Sequence, residues 1–575
     1  MIVYGDPSFY VQAGALARHL LTVESSRPGA DDLRYLLIAA GQLEQAVADE
    51  PALAGHCQAA ERATDGAARA FLAAAGSGDP APKLAESTAA LESLVGVTAP
   101  VRVKQPEGYA FYALYPEQYL AATDEWLREG APEPGSLVLV VGVRSIGTSL
   151  SALVAAALER SGLRTRRCTV RPAGHPYERR VSLPRRVAEG AAYGIAVDEG
   201  PGQSGSSLAA TVAALSEAGL AWERIALLPG HAGKPGEAAS PEVREVWGRV
   251  ARYSVPLGDL SWGGRALTAE LAGATEAACG APCTGVEDLG WGAWRELAYP
   301  GREWPPAALP FERPKYLVSL GDGRRALWKF AGLGTGPGLV PTAEAARRRL
   351  HRLAALGWTV EAAGMHLGFV AVPWVEGARP GREDREAARA AGRYVAAACG
   401  EELAAPEIEA GFERLAEMLY WNAWEGLGEE PAGRARRLAD AARSLLAHQD
   451  PRRYGDGRLD PCEWVRTGDG RLLKTDAAGH DHDHTVVGPQ PLAWDLAGAL
   501  VEWEDRAAVQ DGFTTSGGHV PARPLLNFYG AAYCAFRLGL ARMSAFAAGG
   551  DDAARLEDAG RRYAARLGAL LAAVR

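Results

Sequence analysis

The sequence has 575 residues, which is long for one hydrophobic core, since domains usually run to about 100 to 200 residues. Its composition, 48% hydrophobic and 23% charged, excludes a disordered chain, and its net charge of -9 gives no general attraction to nucleic acid or anionic membranes. Seven scattered cysteines favour reduced thiols, and no apolar stretch of about 20 residues could span a bilayer. We therefore expect two or three domains in a cytoplasmic protein that binds neither nucleic acid nor membrane.

The first 95 residues are rich in Ala, Leu, Glu and Gln, with apolar residues three and four apart, as in LRYLLIAAGQLEQAV. This spacing predicts a helical N-terminal region, residues 1–95. The region carries no chemical motif, so a homodimer contact and a cap over a substrate are both open roles. The aromatic residues that follow are expected to pack in a core, with a pocket lining as the alternative: Tyr109, Phe111, Tyr112 and Tyr115.

Residues 96–303 alternate short apolar runs, such as LVLVVGV, YGIAVDEG and RIALLPG, with amphipathic stretches such as SSLAATVAALSEAG. This alternation predicts a doubly wound α/β domain, with buried parallel strands joined by helical crossovers. A proline-rich passage, YPGREWPPAALPFERP, lies between Tyr299 and Pro314 and has the composition of a linker. We place the second domain boundary in it, at residues 303/304.

Two predicted strands end in loops suited to anions. In VGVRSIGTS, small residues would let the backbone approach a phosphate, and Arg144 would add a positive charge. In IAVDEGPGQSGSS, an apolar strand ends in Asp198 and Glu199, and a Gly- and Ser-rich turn then opens a helix. Carboxylates accept hydrogen bonds from neighbouring hydroxyl groups, and a nest of NH donors holds a phosphate. The alternative is a strand-to-helix turn that binds no ligand.

The second loop resembles the phosphoribosyl-pyrophosphate loop of type I phosphoribosyltransferases, in which an acidic pair precedes a Thr/Ser-Gly-x-Thr/Ser turn. The resemblance implies phosphoribosyl pyrophosphate as a substrate and makes Asp198 and Glu199 catalytic residues that contact ribose, directly or through Mg²⁺. Gly200-Pro-Gly-Gln makes the loop one residue longer than the family pattern, so the phosphate geometry is expected to differ somewhat. The implied phosphate- and pyrophosphate-binding residues are Arg144, Ser145, Gly147, Thr148, Ser204, Gly205, Ser206 and Ser207.

Between these loops lies the Arg-rich segment RPAGHPYERR, where the family keeps a mobile loop over the pyrophosphate. A lid that excludes water would protect a reactive ribose C1 from hydrolysis. Arg179 and Arg180 are candidates to neutralise the leaving pyrophosphate, and His175 is a candidate acid or base. For each residue, an ordinary solvated surface loop is an equal alternative.

From about Pro314 onward, the order of features resembles the aminoglycoside phosphotransferase and choline kinase group. The resemblance implies a bilobal kinase-like α+β domain over residues 304–575, with a small lobe at 311–377 and a helical lobe at 378–575. Lys329, inside the apolar run LWKF, would serve ATP phosphates, with Glu344 as its ion-pair partner. FVAVPWVEG would supply the strand and hinge over the adenine.

The kinase-like motifs are degraded. The expected His-Gly-Asp is absent, Arg458 stands where simple alignment puts the catalytic Asp, and Glu463 stands where a metal-binding Asn belongs. Asp456 is the replacement candidate for the base, and Asp476 with Glu463 could hold Mg²⁺, which favours carboxylate oxygens. An altered kinase and a pseudokinase are both open.

The run HDHDH at residues 480–484 is expected to be an active-site loop beside Asp476, with a transition-metal site as the alternative. The expected function is bifunctional, with phosphoribosyl transfer at ribose C1 and ATP-dependent phosphorylation of a related small metabolite. One alternative is a regulator that senses a nucleotide or phosphoribosyl pyrophosphate through the phosphate-binding loops of residues 96–303, with a pseudokinase half as a scaffold. Another is a small-molecule kinase with a non-catalytic front domain.

Overall fold

The chain divides into two compact units. The computed structural model describes residues 1–5, 8–24, 28–76, 78–334, 342–398, 400–453, 456–477 and 483–574. The parallel-sheet unit comprises Ser8–Glu270 and Gly332–Thr342, and the antiparallel-sheet unit comprises Met1–Pro7, Leu271–Ala331 and Ala343–Arg575. Among the helices of the described ranges, none is long and apolar enough to cross a bilayer.

The helices and strands of the parallel-sheet unit run from Ser8 to Ala266. Its helices are α1 (Ala13–Glu24), α2 (Ala30–Ala48), α3 (Cys57–Ala75), α4 (Ala81–Glu92), α5 (Glu107–Phe111), α6 (Pro116–Gly130), α7 (Gly147–Arg160), α8 (Arg185–Ala188), α9 (Ser206–Glu217) and α10 (Pro241–Arg249). Its strands are β1 (Ser8–Gln12), β2 (Pro100–Lys104), β3 (Leu137–Val143), β4 (Arg164–Val170), β5 (Tyr193–Val197), β6 (Ile225–Leu228), β7 (Ala251–Arg252), β8 (Ser261–Trp262) and β9 (Arg265–Ala266).

In the described residues, five parallel strands form one sheet in the order β4-β3-β5-β6-β7. β3 and β5 are buried almost throughout, which is why their sequences read as continuous apolar runs. Helix α7 follows β3 directly and α9 follows β5, so each loop between strand and helix opens at the carboxyl edge of the sheet.

The helices α1 to α4 belong to this same unit. Their apolar faces form a cluster that also includes Ala152, Leu153, Ala156 and Ala157 of α7. β1 pairs with β2 in antiparallel register, with Phe9 opposite Val103. The observed division therefore does not fall at the expected boundary, residues 95/96. The paired strands β1 and β2 lie on either side of that boundary, so the chain before it and the chain after it belong to one unit.

Helix α11 (Leu267–Cys279) carries the chain into the antiparallel-sheet unit. The further helices are α12 (Trp294–Ala298), α13 (Ala343–Ala355), α14 (Arg385–Ala397), α15 (Ala405–Leu427), α16 (Glu429–Arg443), α17 (Leu492–Glu502), α18 (Arg506–Thr515), α19 (Arg523–Ala547) and α20 (Gly550–Ala572). The strands are β10 (Cys283–Asp288), β11 (Lys315–Leu320), β12 (Arg325–Phe330), β13 (Gly364–His366), β14 (Phe369–Pro373), β15 (Glu401–Glu402), β16 (Arg452–Arg453), β17 (Trp464–Arg466) and β18 (Leu472–Lys474).

The main sheet of this unit has the order β10-β11-β12-β14-β13, and its strands pair in antiparallel fashion. β12 contains the run LWKF, and β14 contains FVAVP of the segment expected to supply a strand. β10 pairs with β11 across the proline-rich passage, with Val286 opposite Val318. The expected boundary at residues 303/304 therefore lies between two strands of one sheet, because the passage connects paired strands.

Candidate functional site

Two loops follow neighbouring strands of the parallel sheet. β3 and β5 lie side by side, with Gly142 opposite Val197. β4 pairs on the far side of β3, whereas β6 and β7 continue from β5. Such a reversal of strand order leaves a crevice at the carboxyl ends of the two strands, where ligands bind in open α/β sheets. The first junction, residues 144–148, and the second junction, residues 198–207, both begin at this edge.

The acidic pair stands directly after β5. The backbone N–H of Gly108 donates to Oε2 of Glu199 at 2.7 Å. The hydroxyl of Tyr119 donates to the backbone carbonyl of Asp198 at 2.7 Å. A side chain on Gly230 would place its Cβ 2.5 Å from the carbonyl oxygen of Glu199, so glycine is required for this close approach. The pair is therefore positioned by three separate segments of the unit.

Both carboxyl groups hold their protons more tightly than usual. Burial, assisted by the charge of Glu199, raises the pKa of Asp198 to about 8. Burial also raises the pKa of Glu199 to about 7, against the opposing effect of the Gly108 N–H. Within the described residues, no lysine or arginine forms an ion pair with either carboxylate. The charge of Arg171 offsets the raised pKa of Asp198 only in part. Two adjacent acids without an ion-paired cation among the described residues suit ligand hydroxyl groups or Mg²⁺, so the donor set at this site fits that metal.

The second junction forms a tight turn into α9. Gly205 has a φ of 62°, and a Cβ at this position would meet Pro235 at 2.7 Å. The hydroxyls of Ser204 and Ser206 are 3.1 Å apart, and Ser206 Oγ donates to the carbonyl of Pro176 at 2.5 Å. The Arg-rich segment therefore contacts the turn, and its role as a lid stays a prediction. The phosphate-binding role of Ser204, Gly205, Ser206 and Ser207 stays a prediction.

The first junction packs its backbone against the end of β5. A Cβ on Gly147 would lie 2.5 Å from the carbonyl oxygen of Val197, and one on Gly142 would lie 2.1 Å from the carbonyl oxygen of Gly147. Thr148 is buried, and its hydroxyl has no hydrogen-bond partner in the part of the chain that the structure describes. Small residues are thus needed here for packing of the loop, whatever the loop binds.

Arg144 differs from the expectation that it supplies charge to the cradle. Its guanidinium donates to Oδ1 of Asp49 at 3.0 Å and to Oγ1 of Thr169 at 3.0 Å. Asp49 also accepts hydrogen bonds from Arg171. In this arrangement Arg144 connects the loop to Asp49, the residue after α2, because this half-buried carboxylate attracts both guanidinium groups.

The candidate lid residues have local partners. Arg179 donates to the carbonyl of Gly174 at 2.6 Å, and the backbones of Ala173 and Arg180 form an isolated bridge. His175 is exposed, and its Nδ1 accepts from the N–H of Tyr177 at 3.3 Å. The pyrophosphate roles of Arg179 and Arg180 stay predictions.

Sequence reasoning missed Gly108 and Tyr119, which hold the acidic pair. Tyr109 and Tyr115 are buried, as expected of core residues, and the hydroxyl of Tyr109 lies 2.9 Å from Ser149 Oγ. The available signal was the high density of tyrosines after β2. It could not show that one backbone N–H and one hydroxyl of this segment contact the acids after β5.

In the antiparallel-sheet unit, Lys329 on β12 meets Asp476 after β18. Nζ of Lys329 donates to both carboxylate oxygens of Asp476 at 2.6 Å. Burial lowers the pKa of Lys329, and Asp476 offsets part of that effect. The expected ion pair between Lys329 and Glu344 is absent from the described structure, because Glu344 accepts from Arg347 at 2.9 and 3.0 Å.

A second lysine, Lys474, is fully buried among acids. Its Nζ lies 3.3 Å from Oδ2 of Asp456 and 3.4 Å from Oε2 of Glu463, and it donates to the carbonyl of Asp476 at 2.6 Å. Asp456 is also buried and accepts from the hydroxyl of Tyr394 at 2.8 Å. Burial raises the pKa of Asp456, and Lys474 only partly offsets it. Asp456 is therefore held in a closed ion pair, which counts against its expected role as a base.

These contacts limit where Mg²⁺ fits. The carboxylate of Asp476 can bind Mg²⁺ only if Lys329 leaves it for another anion. The carboxylate of Glu463 already interacts with the ammonium of buried Lys474. Among the described side chains, no group of three or more His, Cys, Asp or Glu residues is arranged to hold a metal. The carboxylate of Glu463 thus pairs with a lysine rather than with a metal, because Lys474 supplies the positive charge there.

The histidine run is described only in part, and residues 480–482 lie outside the described ranges. The ring of His484 stacks on Phe311 with centroids 4.8 Å apart and on Tyr4 at 5.3 Å. Burial, with the charges of Arg313 and Arg458, lowers the pKa of His484 to about 4. His484 is accordingly a neutral packing residue.

No protein-family model matches the chain, and no curated protein matches it. Among solved structures, a candidate fructosamine-3-kinase from Thermobifida fusca YX-ER1 is 19% identical, covers 51% of this chain and 98% of its own, and gives a TM-score of 0.30. Choline kinase LicA from Streptococcus pneumoniae is 16% identical, with coverages of 49% and 94% and a TM-score of 0.30. Macrolide 2'-phosphotransferase MphH from Brachybacterium faecium is 16% identical, with coverages of 50% and 96% and a TM-score of 0.30. TM-scores this low support no functional assignment for this chain.

Proposed function

We propose that the parallel-sheet unit binds a phosphoribosyl compound and transfers the phosphoribosyl group at ribose C1. The observation that carries the proposal is the half-buried pair Asp198 and Glu199, which lies beside the first junction where the strand order reverses. A plain strand-to-helix turn has no need of two adjacent acids with raised pKa values. Phosphoribosyl pyrophosphate is the proposed substrate.

In this proposal, each segment of the crevice has one task. The carboxylates of Asp198 and Glu199 accept hydrogen bonds from the ribose hydroxyls, residues 204–207 hold the 5-phosphate, and residues 145–148 hold the pyrophosphate. Transfer breaks the bond from C1 to the pyrophosphate oxygen and forms a bond from C1 to a nitrogen nucleophile. Pyrophosphate leaves with the electron pair, and the nitrogen gives up a proton. Mg²⁺, when bound, neutralises charge on the pyrophosphate.

The antiparallel-sheet unit is proposed to bind ATP and to phosphorylate a related small metabolite. The observation in favour is the pairing of Lys329 with Asp476, which brings a strand lysine and an acid after β18 to one point. ATP phosphates would take the place of Asp476 at the lysine and so free that carboxylate. The closed pair of Asp456 and Lys474 favours the alternative, in which the unit binds nucleotide without transferring phosphate.

The test is calorimetric titration with phosphoribosyl pyrophosphate and Mg²⁺. We expect binding by the native protein and its loss in the double variant Asp198→Asn, Glu199→Gln. The matched control is Asp124→Asn, Glu125→Gln on α6, which makes the same two changes away from the sheet edge and should bind as the native protein does. Equal affinity of the double variant and the native protein would refute the proposal.

A second titration, with ATP and Mg²⁺, addresses the other unit. Binding that is lost in Lys329→Met, together with ATP consumption, would support phosphotransfer. Binding without consumption under any acceptor tested would favour the regulatory alternative. If ATP consumption survives while the double variant at Asp198 and Glu199 has no effect of any kind, the chain is better explained as a kinase with a non-catalytic front domain.

A further inference from the structure

A cavity of about 740 Å³ lies within the antiparallel-sheet unit. One wall is the segment 294–312, a second is the loop 458–463 with Arg382, and the third is formed by α19 and α20. The volume falls in the range of small-molecule sites, roughly 300 to 1,000 Å³. Lys329 and Asp476 do not line it, so it is separate from the proposed ATP anchor.

One end of the cavity collects guanidinium groups around a single carboxylate. Arg537 donates to Asp460 at 2.9 and 3.0 Å, and Arg382 lies 3.6 Å from the same carboxylate. Burial alone would raise the pKa of Asp460, but the surrounding arginines hold it below its ordinary value. Arg382 also donates to buried Glu502 at 2.6 Å. The carboxylates of Asp460 and Glu502 are therefore already paired with Arg382 and Arg537.

Two further arginines line the cavity without such a match. Within the described residues, the guanidinium groups of Arg458 and Arg562 form no hydrogen bond or ion pair. Arg562 lies over the ring of Tyr563, 4.9 Å from its centroid. Arg458 stands in the loop that also carries Asp460 and Glu463. Glu463 lines the same cavity and interacts with the ammonium of Lys474. Burial alone would lower the pKa of Arg458, but the charges of Glu463, Asp483 and Asp476 raise it, so its guanidinium is charged at the cavity without an ion pair in the described part of the chain.

The wall formed by segment 294–312 carries three aromatic side chains and is fixed in place. Trp294, Tyr299 and Trp304 line it. Arg295 is buried and binds Asp552 of α20 through two hydrogen bonds of 2.7 and 3.0 Å. The guanidinium carbon of Arg295 lies 4.8 Å from the centroid of Trp304. The segment is thus anchored to α20 by a bidentate ion pair, which keeps its aromatic side chains at the cavity.

We propose that this cavity binds a 5'-mononucleotide, with its phosphate at Arg458 and Arg562 and its planar base against Trp304 and Tyr299. The guanidinium fork matches two phosphate oxygens, and aromatic rings stack with the flat face of a base. This inference deepens the proposed function, because phosphoribosyl transfer to a nitrogenous base yields a molecule of this kind. The mononucleotide would lie beside the loop 456–463, as the small metabolite of the second unit.

The experiment uses the full chain with Asp198→Asn and Glu199→Gln, so that the crevice of the other unit does not contribute. AMP, GMP, CMP and UMP, and their four nucleosides, are titrated by calorimetry. We expect at least one monophosphate to bind about tenfold or more tightly than its nucleoside, because hydrogen bonds to a charged group are lost without the phosphate. Arg562→Gln should weaken the monophosphate by about tenfold and leave ATP affinity unchanged.

The matched control is Arg561→Gln on the same helix, whose side chain is 68% exposed and pairs with Asp558. It should bind the monophosphate as the unaltered background does. If Arg562→Gln lowers the melting temperature, Trp304→Leu serves as the second variant and should weaken the monophosphate more than ATP. Failure of all four monophosphates to bind, or affinity that is indifferent to both variants, would overturn the inference. Failure of the proposed transfer would show instead as phosphoribosyl pyrophosphate binding that ignores Asp198 and Glu199.

Discussion

At the residue scale, the two candidate acid sites differ in how their charge is balanced. Asp198 and Glu199 have hydrogen-bond donors but no ion pair among the described residues, so burial leaves their pKa values high. Asp456 has Lys474 at 3.3 Å and Tyr394 at 2.8 Å. Two buried acids that lack an ion-paired cation destabilise the unliganded protein, and a ligand that binds them offsets part of that destabilisation. A buried ion pair needs no ligand, because its two charges balance each other. The pair Asp198 and Glu199 is therefore the better candidate for a ligand site.

Glu199→Gln should make stability less dependent on pH. The pKa of Glu199 rises from 4.5 to about 7 on folding, so its protonated form stabilises the fold below about pH 4, and that stabilisation is lost as pH rises through 7. Gln keeps an oxygen for the Gly108 N–H and has no proton to lose. We expect the variant to gain about 1 to 3 kcal/mol relative to the native protein between pH 5 and pH 8 in urea unfolding.

Glu125→Gln on α6 makes the same chemical change outside the acidic pair and is the control. An equal urea midpoint for Glu199→Gln and the native protein at both pH values would show that Glu199 is not destabilised by burial.

At the element scale, the first junction depends on two glycines that let β3, the loop and α7 lie close together. Gly142 is the last residue but one of the buried strand β3, and Gly147 begins α7. A Cβ on Gly142 would lie 2.1 Å from the carbonyl oxygen of Gly147 and 2.5 Å from Ser151 Oγ. Any larger side chain therefore has to displace the start of α7, and with it the residues proposed to hold pyrophosphate.

Gly142→Ala should cost about 1 to 3 kcal/mol of unfolding free energy, since overpacking forces the backbone to shift. It should also weaken phosphoribosyl pyrophosphate binding in the calorimeter, because residues 145–148 move. Gly248→Ala in α10 is the control: no heavy atom lies within 4 Å of the added Cβ. Its effect should be within about 1 kcal/mol and in the stabilising direction, as alanine is the better helix former. Native-like stability and binding in Gly142→Ala would contradict this account of the loop.

At the scale of the whole molecule, each unit has cores of its own. In the described part of the chain, hydrophobic clusters built from α1 to α4 and from the parallel sheet lie inside the parallel-sheet unit. Other clusters, built from α15 to α20 and from α14 with its neighbours, lie inside the antiparallel-sheet unit. Separate cores allow separate unfolding, and a ligand stabilises only the unit that binds it.

Scanning calorimetry should therefore show two unfolding transitions. Phosphoribosyl pyrophosphate with Mg²⁺ should raise the midpoint of one, by about 2.7 kcal/mol of stabilisation at a hundredfold excess over Kd, and ATP should raise the other. The double variant Asp198→Asn, Glu199→Gln should remove only the first shift. A single transition raised by both ligands would contradict the assignment of one site to each unit.

Local sequence was sufficient to predict the features that depend on neighbours in the chain. The buried strands β3 and β5, the turn at Gly205 and the strand carrying Lys329 follow from runs of apolar residues and from turn chemistry. Their roles as ligand sites stay predictions. The degraded kinase-like motif was also visible in the sequence, because it depends on residue identity alone.

Only the tertiary structure decided which side chains meet. Asp476 rather than Glu344 pairs with Lys329, Lys474 closes on Asp456, and Arg144 turns to Asp49. β10 joins the sheet of β11 across the proline-rich passage. Each outcome joins residues far apart in the sequence, and a buried charge takes whichever opposite charge the packing brings within reach. The spacing of apolar residues along the chain does not specify contacts between residues far apart in the sequence. The sequence therefore determined the helices and strands, and packing determined the partners of their charged side chains.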